Sequence, residues 1–319
     1  MIGTGWWWTL GSDVGLLLLA LTIDRVLPEP PEPTHPVVWL GKLINNIERL
    51  APSTAPLAFV FGAGAVVLVV GTWMAASLLV VDVLGRMAIP LYIIGGALLL
   101  RTGFTVRGLV VAAEAVRRSL AAGRIDIARS RLIMLVGRDR SSLDPQMASA
   151  AAIESVAENT TDSFIAPWLM FALFGVPGAI AYRAINTFDS MWGKRGRYEY
   201  LGKFAAHLDD VVNYVPARLS GMLMLGAGAT RGFPWHRGMS VMVRDRHITE
   251  SPNAGWTMSA MAGLLGRRLE KQGHYVLGGE FPAPMGEDIH TANNLAIGTA
   301  WLGVVLVLGI LVIRHWVIG

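Results

Sequence analysis

Between Ala150 and Asp162 the chain reads AAAIESVAENTTD, an apolar helical pattern interrupted by Glu154, Glu158 and Asp162. The i, i+4, i+8 spacing turns successive carboxylates by roughly 40°, so the pattern predicts all three on one helix face. Like charges so placed repel by about 0.2–0.5 kcal/mol per pair. Basic side chains or a divalent metal would relieve them; a solvated acidic face is the plainer alternative. Two further polar clusters follow. The stretch NTFDSMWGKRGRY carries Asn186 and Asp189 at i, i+3, then Lys194, Arg195 and Arg197 around Gly193 and Gly196. Glycines admit an anion close to the backbone and the cations neutralise phosphate oxygens. HLDDVVNY places His207 and Asp210 on one helix face and Asp210 with Asn213 at i, i+3, while Asp209 points elsewhere. Adjacent aspartates suit Mg²⁺, which keeps several waters and takes one or two carboxylates beside substrate phosphates; helix capping is the structural alternative. SPNAGW, Ser251 to Trp256, reads as a turn and a helix start whose amides could hold an anion or be capped. No Walker A, GxGxxG with a partner strand, HExxH or GxSxG is present, so soluble nucleotide folds are not indicated.

The elements that must position these groups are hydrophobic. Of 319 residues, 53% are hydrophobic and only 16% charged, and mean hydropathy is +0.48, which points to a polytopic membrane protein. The net charge of +4 is concentrated in particular Lys/Arg-bearing loops, which fits membrane topology rather than nucleic-acid binding. Cysteine is absent, which excludes disulfides and thiolate chemistry. The N-terminus lacks a basic n-region and a small-residue cleavage site, so it does not read as a signal peptide. Crossings are expected for the segments starting at Trp6, Leu57, Ile89 and Leu295. The prolines of LPEPPEPTHPVVW predict an extended loop holding His35 and Trp39. Arginine density over residues 101–149 predicts two amphipathic helices broken near Gly123, on the cytoplasmic side. Phe164 to Ile185 has basic residues on both flanks and GVPG in its middle, which predicts a hairpin that enters the membrane and returns. The same argument is applied to Val211–Ala229, which contains Pro216. The expected fold is therefore all-α: one integral membrane domain over 1–319 with broken or re-entrant helices. Residues 101–163 are expected as cytoplasmic amphipathic helices, and 186–210 and 230–294 as cytoplasmic loops. Both termini are placed outside.

HPVVWLGKLI, LVGRD, AAIESVAENTTDSFIAPW, YRAINTFDSM, LDDVVNYVPARL and SPNAGW, in this order, resemble the CobD/CbiB family, the adenosylcobinamide-phosphate synthases of cobalamin biosynthesis. The resemblance implies a multi-pass inner-membrane ligase with its site facing the cytoplasm. It would use ATP and Mg²⁺ to join adenosylcobyric acid to aminopropanol or its phosphate through an amide bond. Within that reading, catalytic roles are expected for Glu154, Glu158, Asn159, Asp162, Asn186 and Asp189. Phosphate or nucleotide binding falls to Arg138, Arg183, Lys194, Arg195, Lys203, Ser251 and Asn253. Metal ligation falls to Glu154, Glu158, Asp189, Asp209 and Asp210, and substrate contact to His35, Trp39, His207 and Asn213. Expected partners are the corrinoid, the amine, membrane lipids, and a second copy or other corrin-pathway enzymes, but no nucleic acid. One departure is local. After Asp189-Ser190-Met191, family members usually carry a Gly-Tyr-(Arg/Lys)-Asn-Glu-Arg-Tyr run. Here, after Trp192, GKRGRY lacks the tyrosine and glutamate and is one residue shorter, which leaves the substrate contacts of residues 194–197 open. The alternatives are a transporter of a phosphorylated or corrinoid metabolite, since broken helices also mark transport sites, and a non-catalytic membrane sensor.

Overall fold

The computed structural model describes residues 6–136, 142–193, 196 and 198–318. Helices dominate them, in the order α1 (Trp6–Val26), α2 (Pro36–Glu48), α3 (Ala55–Met87), α4 (Ile89–Gly103), α5 (Arg107–Ala121), α6 (Ile125–Arg131) and α7 (Pro145–Thr160). The order continues with α8 (Ala166–Trp192), α9 (Lys203–Val212), α10 (Tyr214–Ala229), α11 (Trp235–Asp245), α12 (Ala254–Leu265) and α13 (Asp288–Ile318). β1 (Leu269–Lys271) pairs antiparallel with β2 (Tyr275–Leu277) in a small hairpin, Leu269 opposite Leu277. Ala55–Met87, Ile89–Ala121, Pro145–Trp192 and Asp288–Val317 are long and apolar enough to cross a membrane. The chain is thus an all-α, polytopic membrane protein. It separates into two compact units: Met1–Thr105 with Ala166–Val212 and Val305–Gly319, and Val106–Ile165 with Asn213–Val304.

In the first unit α1 and α4 run side by side in the same direction. Tyr92 Oη donates to Asp13 Oδ1 at 2.5 Å, and Arg101 pairs with buried Asp24 at 3.3 Å. Residues 166–192 form the expected hairpin. Gly175 takes φ 72° and ψ −168°, open to glycine but strained for other residues. Two positions on, Pro177 has no N–H to give the preceding turn. Contacts with α4 trace the excursion. Trp168, on the entering limb, meets the Phe104 ring edge to face at 5.4 Å. A Cβ on Gly96 would lie 3.7 Å from Val176 at the tip, and one on Gly103 would lie 3.6 Å from the Ala179 carbonyl on the returning limb. The break strips helical partners from the last carbonyls of the entering limb. Arg314 of α13 replaces them, donating from Nη1 to Ala172 O at 2.9 Å and Phe171 O at 3.4 Å while its Nη2 pairs with Asp13. His315 Nε2 joins Asp13 at 3.0 Å.

The second unit is built from small residues. Ala148, Ser149, Ala150, Ala151 and Ala152 are buried on α7, as are Gly255, Ser259, Ala260, Ala262 and Gly263 on α12. Small side chains let helix backbones approach closely. A π-helical turn, Thr161–Ile165, joins α7 to α8.

Four local expectations are corrected. Pro36 opens α2 rather than forbidding it, because proline at the first helical position lacks an N–H that would be unpaired anyway; Trp39 therefore lies on a helix. Asn186 and Asp189 belong to α8 and Lys203, His207, Asp209 and Asp210 to α9, so 186–210 is not a loop. Residues 230–294 hold α11, α12 and the strand pair rather than loops. Residues 214–229 form one unbroken helix of 16 residues, with Pro216 in its first turn where proline is tolerated.

Candidate functional site: the polar face of α8 and α9

Ala184, Phe188 and Trp192 recur at i, i+4, i+8 on the returning limb of α8. They are buried with Leu40 and Ile44 of α2, Val66 and Val69 of α3, and Leu201 and Ala205. Phe188 and Trp192 meet edge to face at 5.0 Å. Where α3 crosses the 198–202 turn, any Cβ on Gly62 would collide with the Leu201 carbonyl, so glycine permits the approach. This stripe fixes the rotation of α8 and sends Arg183, Asn186 and Asp189, at i, i+3, i+6, along an adjoining face. Asn186 Nδ2 donates to Asp209 Oδ1 at 3.4 Å, linking α8 to α9. Arg183 Nη1 reaches Asn186 Oδ1 at 3.5 Å, the outer limit of a hydrogen bond. Asp210 lies within electrostatic range of Asp189. Asp209 is buried, Asp189 and Asp210 half-buried, and Lys203 and His207 exposed.

His35 caps α2 beside this face. The Val37 N–H donates to its Nδ1 at 3.2 Å, and Nε2 faces Glu29 at 3.8 Å. Burial lowers the imidazole pKa, Glu29 opposes that, and Arg183 and Arg101 add to the lowering. The neutral ring is the form that can accept the capping bond. Trp39 Nε1 donates to the Pro33 carbonyl at 2.8 Å.

The acidic helix lies in the second unit, and its carboxylates are not equivalent. Glu154 is 4% exposed and accepts from Tyr275 Oη of β2 at 3.2 Å; Glu158 is exposed; Asp162 is half-buried. Asp162 falls in the π turn, where i→i+5 bonding departs from the α-helical register on which the shared face was based. Asn159 spans that turn. Its Nδ2 donates to Ser155 O at 2.9 Å and Ser155 Oγ at 3.1 Å, and its Oδ1 accepts from Ser163 Oγ at 3.1 Å. Ser155 Oγ in turn donates to Leu135 O at 2.8 Å, in the LVGRD stretch. Asn253 precedes α12 without capping it through its side chain; its Oδ1 accepts from Arg218 at 3.3 Å, and its N–H donates to Ser251 Oγ at 3.2 Å. Arg218 also lies over the Trp256 ring at 4.8 Å. Asn213 is buried at the start of α10. Arg138, Lys194 and Arg195 lie outside the described residues.

Among the described residues no group of three or more acidic or histidine side chains is preassembled around a cation position. Mg²⁺ does not require one, since one or two carboxylates with waters and phosphates satisfy it. The half-buried Asp189 and Asp210 fit that demand. Sequence reasoning missed Tyr275, Arg218 and the Asp24–Arg101 pair. Arg218 stands in the LDDVVNYVPARL block, and the pair left an acid and a base at the ends of apolar helices.

A family model described as CobD/Cbib protein matches residues 17–302, most of the chain and stretches of both units. The chain belongs to the CobD/CbiB family. The Cobalamin biosynthesis protein CobD of Dehalococcoides mccartyi is 41% identical over 93% of this chain and 96% of its own length. Proteins named Probable cobalamin biosynthesis protein CobD from Methanothermobacter thermautotrophicus and Pyrococcus abyssi are 38% and 37% identical. They cover 84% and 92% of this chain, and 87% and 95% of their own lengths. No solved structure matches. This CobD/CbiB chain is thus a membrane protein of a cobalamin-biosynthesis family.

Proposed function

We propose that the chain ligates adenosylcobyric acid to aminopropanol or aminopropanol phosphate, with cleavage of ATP, giving adenosylcobinamide or its phosphate. The observation that supports this reading is the α8–α9 face, where Asp189, Asp210, Asp209 and Asn186 gather at the end of a re-entrant helix. A propionate is a poor acyl donor. Transfer of the γ-phosphoryl group to its oxygen, with ADP leaving, makes an acyl phosphate. The amine nitrogen then attacks the carbonyl carbon and loses a proton, and inorganic phosphate departs. Such transfer depends on positioning and charge neutralisation. Bound Mg²⁺ supplies neutralisation of the phosphate oxygens. Asp189 and Asp210 would hold it, and Asn186 orients Asp209 beside them. Lys203, with Lys194 and Arg195, is assigned to phosphate oxygens. In the second unit Glu158 and Asp162 offer carboxylates to a cation, with Asn159 stiffening the turn between them, and Glu154 holds the strand pair through Tyr275. We place the protein in the inner membrane with this face toward cytoplasmic ATP.

The test is purified protein in nanodiscs with adenosylcobyric acid, ATP, Mg²⁺ and either amine, read by mass spectrometry. Amide product that requires ATP is expected with one amine or both. Corrinoid flux into proteoliposomes without ATP cleavage and without product would instead support transport.

A further inference from the structure

Thr9 and Asp13 of α1, Tyr92 of α4, and Arg314 and His315 of α13 meet in the first unit, where α1 begins and α13 ends. Asp13 is 6% exposed. Its Oδ1 accepts from Tyr92 Oη, and its Oδ2 accepts from Arg314 Nη2. His315 Nε2 lies 3.0 Å from that same Oδ2 and 2.9 Å from that same Nη2, while its Nδ1 lies 3.2 Å from Thr9 Oγ1. The triangle makes contrary demands on one atom. A guanidinium only donates, so its contact needs the bare lone pair of Nε2. A carboxylate only accepts, so its contact needs a proton on Nε2. The neutral ring with its proton on Nδ1, given to Thr9, satisfies Arg314. The other neutral tautomer meets Asp13 but turns its N–H into Arg314. The imidazolium also meets Asp13, and it sets two cations 2.9 Å apart. An ionisable cluster on helices apolar enough to cross a membrane is costly to keep and marks a functional site.

We propose that His315 Nε2 is a proton-binding site that controls the tip of the α8 hairpin. A proton taken up there donates to Asp13 Oδ2 and displaces Arg314 from the shared oxygen. Arg314 Nη1 then leaves the carbonyls of Ala172 and Phe171, which the break at Gly175 deprives of helical partners, and the tip loosens. Charge sets the direction. Carboxylate and guanidinium balance while the ring is neutral; protonation leaves one positive charge uncompensated, and expulsion of the guanidinium relieves it. The ionisable groups facing the ring and its partners are Asp13 from α1, Tyr92 from α4 and Arg314 from α13, and α8 presents main-chain carbonyls. Among the described residues no second carboxylate pairs with Arg314 or His315. The proton enters where α1 begins: Thr9 is exposed there, and Trp316, next to His315, is 76% exposed. From the tip the returning limb leads to Asn186 and Asp189, so the hairpin joins a proton site at one end of the unit to the α8–α9 face at the other. The inference is independent of the ligation reading, because its test reads the hairpin rather than product.

The chain has no cysteine, so Phe174→Cys, at an exposed position on the tip, carries a single pH-insensitive, environment-sensitive fluorophore. Its emission is followed in nanodiscs from about pH 8 to about pH 5, the window of histidine titration. One transition is expected, the displaced population rising by no more than about tenfold per pH unit, the limit for one proton. H315Q keeps an acceptor for Arg314 without titrating. It should hold the emission at the wild-type alkaline level throughout, with a melting temperature near wild type at the alkaline end. H315K, charged across the window, should hold the emission at the acid level. A transition with the wild-type midpoint in H315Q would assign the proton to another group. An H315K trace at the alkaline level would contradict displacement of Arg314, and a flat wild-type trace would remove the switch.

Discussion

Glu154 and Glu158 are one helical turn apart yet differ in environment, and their variants should separate accordingly. Tyr275→Phe removes the hydroxyl that meets buried Glu154. It should cost about 1–3 kcal/mol, the range for leaving a buried acceptor without its donor. Glu158→Gln, at an exposed position where solvent screens any ion pair, should cost about 1 kcal/mol or less. Chemical unfolding of both variants checks this, and equal losses would contradict the assignment of environments. His35 gives a pH signature. Its pKa is lowered in the fold, so its contribution is complete above the ordinary histidine value of about 6.5 and is lost as pH falls through the lower folded value. Asparagine caps helices without titrating in this range. The stability difference between wild type and His35→Asn should therefore shrink in favour of the variant as pH falls from about 7 toward 5. Parallel curves over that window would show that the imidazole does not cap as the neutral form.

At the scale of elements the re-entrant hairpin of α8 rests on Arg314, which serves the carbonyls of Phe171 and Ala172 and the carboxylate of Asp13 together. Arg314→Gln should cost about 3–5 kcal/mol, as expected when one partner of a buried pair is removed. Arg314→Lys, which keeps the charge but lacks the fork, should fall between. An unaltered melting temperature in Arg314→Gln would mean that the hairpin tip is held by other contacts. The hairpin also dictates sidedness within the first unit. Both limbs flank the Gly103–Phe104 end of α4, so the segment after Trp192 emerges on the side where α1 ends. Single cysteines at exposed Glu29 and Gly196 should react with an impermeant thiol reagent from one side, and Met87→Cys from the other. The natural absence of cysteine removes background. Labelling of Glu29→Cys and Gly196→Cys from opposite sides would make residues 166–192 a full crossing.

At the scale of the whole molecule, much of the architecture was legible, and the misses share a cause. The hairpin could be read because basic flanks, glycine and proline act locally. α2 was misread because the same prolines permit a helix start, which only the neighbouring cap at His35 reveals. α12 was read only at its start, in SPNAGW, because its body packs through glycine and alanine, which carry little periodic signal; α11, with Gly238, Val241, Met242 and Asp245 buried at helical spacing, was legible as an amphipathic helix and was passed over. The single acidic face assumed a uniform α-helix, and the π turn at Thr161–Ile165 removes that assumption. Tyr275 stands 121 positions from Glu154, a separation no local pattern spans. The family assignment places this architecture in cobalamin biosynthesis, and Mg²⁺-dependent ligation is proposed for its α8–α9 face. The direct measurement is the rate of amide product against Mg²⁺ concentration for wild type and Asp210→Asn, with melting temperatures taken on the same samples. A folded variant that has lost most ligation and recovers part of it at higher Mg²⁺ is expected. A destabilised variant with a normal Mg²⁺ midpoint would contradict it.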